Sequence, residues 1–157
     1  MKTANQLDAF RGWFYAAAIY NLLWGSLNVL FPNLIFRLYA IAPPNDPLLW
    51  QVVGMFVLVY APAYWWAGRF PQAYLHFIVI GLLGKLLGPV GFVWAFYQGL
   101  LPVNFFWIIL TNDLIWWPAF AIYLLRAARA YGGWQDLLAG EPSLRRTKAT
   151  VPQSTNK

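Results

Sequence analysis

The chain of 157 residues contains no cysteine and a single histidine, His76. Without cysteine there is no disulfide, no thiolate nucleophile and no cysteine-ligated metal. A lone histidine argues against a bis-histidine haem or a multi-histidine metal site. Charge is also scarce: 10% of residues are Asp, Glu, Lys or Arg, against about 25% in soluble domains. A soluble domain of this length cannot cover so apolar a composition, 61% hydrophobic and 20% aromatic, with so few charges. What is plentiful therefore points to a bilayer as the solvent. The net charge of +6 lies near the ends of apolar runs, which fits a membrane surface, and no nucleic-acid motif accompanies it.

Four stretches are long enough to cross about 30 Å of hydrocarbon at about 1.5 Å per helical residue. They fall near 11–31, 48–68, 73–97 and 103–126, predicting an all-α, four-helix transmembrane domain over residues 1–130. Pro62, Pro89 and Pro118 lie inside these spans and are expected to bend them. Residues 131–157 read as a tail, interfacial around Trp134 and disordered beyond about 141. The N-terminus does not read as a cleavable signal: Asp8 and Arg11 precede a long apolar run with no prompt small-residue cleavage site.

Basic residues set the expected orientation. Lys2, Arg11, Arg69, Arg126, Arg129, Arg145, Arg146, Lys148 and Lys157 fall on one side of the four-span layout, and only Arg37 on the other. Both termini are therefore expected in the cytoplasm. The outer stretch "PNLIFRLYAIAPPNDP" reads either as a short interfacial helix near 33–41 or as a loop closing over the bundle. A faint repeat aligns "LLWGSLNVLFP" (22–32) with "FVWAFYQGLLP" (92–102), as a duplicated hairpin would.

The polar residues within the spans carry the chemistry. Lys85 and Asp113 fall at similar depth on consecutive, antiparallel spans. A charge at a helix centre costs about 2.5–3.5 kcal/mol on insertion scales. Together the two can form an ion pair or a neutral hydrogen-bonded pair, and deep ionisable residues are by default functional. Gly81, Gly84, Gly88 and Gly91 line one face beside Lys85, open either to close helix packing or to a flat ligand. Asn21 and Asn28 share one face of the first span, Tyr60 is near the midplane of the second, and Asn112 adjoins Asp113. Trp116 and Trp117, at i+3 and i+4 from Asp113, either pack or stack on a ligand or on the Lys85 ammonium. With Gln51 and Asn104 nearer the outside, these residues predict an outward-facing polar pocket. The candidate ligand-binding set is Lys85, Asp113, Asn112, Asn21, Tyr60, Asn28, Trp116 and Trp117. No metal site is expected and no cofactor is assigned.

The segments "YNLLWG…FP", "GLLGKLLGPVGF" and "TNDLIWWPAF" together resemble a small bacterial family of four-span membrane proteins, DoxX-like in size and layout. The resemblance covers roughly residues 11–126. It implies a four-helix membrane fold in a bacterial cytoplasmic membrane and carries over no catalytic residue.

Three functions follow as expectations. The first is a membrane protein that holds a small apolar molecule with a polar head (a quinone, lipid or isoprenoid), or that serves as an accessory subunit of a membrane complex. The second is a small proton-coupled transporter working as a homo-oligomer. The third is a membrane-embedded enzyme using Lys85 as base or Schiff-base nucleophile. No nucleophile–base–oxyanion set or phosphate loop supports the third.

Overall fold

Among residues 6–139, which the computed structural model describes, every regular element is helical. α1 (Arg11–Leu30) buries Phe14, Ala17, Ala18, Asn21, Trp24, Gly25 and Asn28, one stripe at helical spacing. Its opposite face exposes Leu22, Leu23 and Leu30. Apolar outside and amide-bearing inside is the pattern a lipid solvent favours. Pro32 follows the helix end, and a five-residue α2 (Leu34–Leu38) turns back over the molecule. Ile35, Phe36 and Ile41 are buried against Trp24 and Ile108, so the stretch closes over the helices as well as forming a short helix.

α3 (Pro47–Arg69) starts at an Asp46 cap whose carboxylate accepts from the Leu48 amide at 2.9 Å, with Pro47 in the first turn. It runs through Pro62 without interruption and packs antiparallel on α1. Their backbones touch: a methyl group added at Gly25 would lie 2.8 Å from the Gly54 carbonyl oxygen. Only glycine permits that approach. α4 (Leu75–Tyr97) is likewise continuous through Pro89, and Gly99, two residues past its end, closes the turn with a φ of +71°.

The expected last span is not one helix. A 3₁₀ turn (Val103–Phe105) leads into α5 (Phe106–Asn112), which stops at Asp113 with φ −121° and ψ −61°. A second 3₁₀ turn (Leu114–Trp116) leads into α6 (Trp117–Tyr131). Pro118 explains the position of the break. In a continuous helix its ring would crowd the Leu114 carbonyl, whereas in the first turn of α6 its missing N–H costs nothing. Pro118 thus starts a helix rather than bending one. α6 also runs five residues beyond the expected boundary of 126, to a Gly132 cap with φ +95°. A last short helix, α7 (Trp134–Ala139), buries Leu137 and leaves Trp134 half exposed. The expected disorder beyond 141 lies outside the described residues.

Three stretches are long and apolar enough to cross a membrane: Pro47–Arg69, Leu75–Tyr97 and Val103–Tyr131. α1 has 20 residues, about 30 Å, but Asn21, Ser26 and Asn28 dilute its apolar character, and it does not join that set. The described ends gather at one pole. Arg11 pairs with Asp8 at 2.9 Å and donates to the Arg69 carbonyl at 2.8 Å. Tyr123 donates to the Pro71 carbonyl, and His76 meets the Leu137 carbonyl at 3.0 Å. Phe14, Tyr64, Ile78, Phe120 and Tyr123 form an apolar core towards that pole. The smaller cluster around Trp24, Phe36 and Ile108 forms the other. The aligned repeat positions are not equivalent: Trp24 is buried, Trp94 exposed.

Candidate functional site

Between the two apolar clusters lies a polar layer. Lys85 and Asp113 are 6% and 5% exposed, although Lys85 sits ten residues into α4, about 15 Å from its start. Lys85 Nζ lies 3.8 Å from Asp113 Oδ1, close enough for charge attraction but not for a hydrogen bond. The ammonium donates instead to the main-chain carbonyl of Asn112, the last residue of α5. That carbonyl is available because the helix ends there, and the negative end of a helix dipole favours a cation. Asp113 Oδ1 in turn accepts from Asn112 Nδ2 at 2.9 Å.

α4 is fastened to the same break by its own backbone. Pro89 has no N–H, so the Lys85 carbonyl four residues earlier loses its helical partner. Trp117 Nε1 donates to that carbonyl at 3.1 Å. One lysine therefore ties α4 to the interrupted segment twice, through its side chain to Asn112 and through its carbonyl to Trp117. Trp116 Nε1 donates to the Thr111 carbonyl at 3.2 Å, and the Lys85 ammonium lies 6.0 Å from a Trp116 ring centroid. That distance is at the outer limit of a cation–π contact.

A cavity of about 200 Å³ opens beside the pair. Its inner wall is Asn21, Tyr60, Tyr64, Lys85, Asn112 and Asp113; its outer wall is Val53, Phe56 and Val57 of α3 with Gly81 and Gly84 of α4. Val53, Phe56 and Gly84 are exposed, so the mouth faces sideways between α3 and α4. The glycines divide in their roles. A methyl at Gly88 would lie 2.5 Å from Asp113 Oδ2, and one at Gly81 2.5 Å from the Tyr64 hydroxyl, so these two make room for side chains. A methyl at Gly84 meets nothing nearer than the Tyr60 hydroxyl at 3.6 Å, and one at Gly91 meets nothing within 4 Å.

Of the eight candidate residues, Lys85, Asp113, Asn112, Asn21 and Tyr60 share the cavity. Trp116 and Trp117 do not line it; their indole N–H groups hold the Thr111 and Lys85 carbonyls. Asn28 is elsewhere: it accepts from Trp50 Nε1 and donates to the Trp24 carbonyl at 2.6 Å. Gln51 donates to the Val29 carbonyl at 2.7 Å and Asn104 to the Tyr39 carbonyl at 3.2 Å. These three amides join segments near the α2 pole, where the outward-facing line of polar groups was expected, and none of them lines the cavity. Tyr64 is the polar wall residue that sequence reasoning missed, along with the apolar Val53, Phe56 and Val57. Its spacing of four from Tyr60 puts it on the same face of α3, a signal that was legible.

Among the described residues no group of three His, Asp or Glu side chains is placed to hold a metal ion. Fold and site together define an all-helical protein with three membrane-capable stretches and a buried lysine–aspartate pair at a helix break. Comparison with family models, with curated proteins and with solved structures finds no match.

Proposed function

We propose that this is a four-span protein of a bacterial cytoplasmic membrane, DoxX-like in layout, with both termini cytoplasmic. In this reading α1 also crosses the membrane, as the first of four spans, held against α3 by the Gly25–Gly54 contact. Its function is to hold a small lipophilic molecule by a polar head beside Lys85 and Asp113. One observation supports the reading: the cavity joins a polar inner wall to an apolar mouth that opens outward between α3 and α4, where a bilayer would meet it if these helices are spans. At about 200 Å³ it is smaller than the roughly 300–1,000 Å³ of pockets that enclose a whole ligand. It suits a head group whose tail leaves between Phe56 and Gly84 into the bilayer.

Gly84→Leu provides the test. A Cβ there meets nothing nearer than 3.6 Å and the position is exposed, so the leucine should fill the mouth with little cost to the fold, which thermal unfolding of the variant checks. Native mass spectrometry after gentle detergent extraction should find a lipophile on the wild type and none on the variant. A wild type that neither retains nor takes up any lipophile sinks the reading.

A second reading, a proton-coupled transporter working as a homo-oligomer, draws on the helix break at Asp113. Interrupted helices with a charge at the break recur at the centre of transporters. Substrate-linked proton movement in liposomes, lost in Asp113→Asn, would favour it over simple retention.

A further inference from the structure

A separate hollow of about 320 Å³ lies at the pole where the described ends gather, walled by Gln6 and by Arg126, Arg129 and Ala130 of α6. Both arginines are exposed. Arg126 is positioned by a ring: its guanidinium carbon lies 5.2 Å from the centroid of the buried Phe10, which packs edge-on against Tyr123. A cation–π contact spends no N–H donor. Among the described residues the ion pairs are Asp8–Arg11 and Lys85–Asp113. Neither Arg126 nor Arg129 therefore has a carboxylate within 4 Å, Asp136 of the neighbouring α7 included. Two guanidinium forks, three residues apart on one helix, line the same hollow without a counter-charge.

The rest of the helix face indicates what the hollow takes. Pro118, Ile122, Leu125, Arg126 and Arg129 are all exposed and follow one stripe, at i, i+4, i+7, i+8 and i+11. From Pro118 to Leu125 the stripe is apolar over a rise of about 10 Å, and then it turns basic. One leaflet of hydrocarbon is about 15 Å deep. An amphiphile along this stripe lays its chains on Ile122 and Leu125 and sets its head at the arginines. Planar guanidinium forks match phosphate oxygens two at a time. We infer that the hollow binds the phosphate of an anionic phospholipid. A soluble phosphate leaves the apolar part of the stripe unused. A headgroup with its own cation, such as phosphocholine, sets that cation beside two arginines, so the site prefers a phosphate without one. The inference rests on the membrane placement proposed above and not on the Lys85 cavity, with which the hollow shares no residue.

An open hollow exchanges its lipid with detergent during extraction, so the experiment adds lipid back. Delipidated protein in a neutral detergent is titrated with phosphatidylglycerol or with phosphatidylcholine of the same chains, and bound lipid is counted by native mass spectrometry. The wild type should bind phosphatidylglycerol at least five-fold more tightly. Arg126→Gln and Arg129→Gln should each reduce that preference, and the double variant should abolish it. Arg129 makes no ion pair with a described residue, so Arg129→Gln should melt as wild type does, and its lost preference reports the site rather than the fold. Arg69→Gln, at an exposed arginine of the same pole that lies over Phe70, should leave the preference unchanged. Equal binding of the two lipids overturns the inference. An equal loss in Arg69→Gln also overturns it, because the effect is then one of diffuse charge. Displacement of phosphatidylglycerol by an equal concentration of glycerol phosphate overturns the lipid assignment in favour of a soluble phosphate. These three outcomes leave the reading of the Lys85 cavity standing. A protein that stays dissolved without detergent removes the membrane placement, and this inference with it.

Discussion

Lys85 is tolerated in the apolar interior because three groups share its charge: the Asn112 carbonyl, the Asp113 carboxylate and the face of Trp116. Removing one member of a buried pair strands the other, which typically costs about 3–5 kcal/mol. Lys85→Met and Asp113→Leu should each lower the unfolding temperature in detergent sharply, and the double variant should recover part of the loss. Additive single losses would mean that the two charges do not sense each other. The glycines give a finer test. Gly88→Ala sets a methyl against Asp113 and should destabilise by about 1–3 kcal/mol, as overpacking does. Gly84→Ala should be neutral or stabilising by up to about 1 kcal/mol, since alanine favours helix and the site is open. In sequence the four glycines look alike, and their spacing places them on one face. Which of them lies under a side chain depends on where α3 and the break at Asp113 come to rest.

The break itself belongs to the scale of elements. Pro89 and Pro118 lie on different segments, yet both act on one junction. Pro118 ends the possibility of a continuous helix through Leu114, and Pro89 frees the Lys85 carbonyl that Trp117 satisfies. Trp117→Phe should therefore cost about 1–3 kcal/mol by leaving that carbonyl without a donor. Pro89→Ala restores the helical partner and should make Trp117→Phe nearly silent. An unchanged cost of Trp117→Phe in the Pro89→Ala background, measured by the same unfolding assay, would show that the indole acts through packing alone. The prolines were visible as irregularities in the sequence. That one of them starts a helix and the other is mended by a tryptophan from another segment was not, because both outcomes depend on a neighbour's position.

At the scale of the molecule, Arg11, Arg69 and the Gln72 turn meet at one pole with Tyr131 and α7. In a four-span membrane protein that pole is expected inside, following the basic residues. A chain without cysteine is suited to a direct check. Ala42→Cys, exposed near the α2 pole, should react with an impermeant maleimide on intact cells. Ala73→Cys, exposed in the turn between α3 and α4, should react only after permeabilisation. The reverse pattern inverts the orientation, and labelling of both from outside removes the four-span layout.

Composition and the length of the apolar runs were enough to determine an all-helical chain with membrane-capable stretches, because a bilayer demands long apolar helices whatever their arrangement. Counting residues from helix ends also brought Lys85 and Asp113 to one depth, since rise per residue is constant. The lateral direction of the cavity, the separation of Asn28 from it and the division of the expected last span into two helices required tertiary structure. Depth is a property of one helix, whereas rotation about the axis, and hence what a side chain meets, is set by the neighbours it packs against.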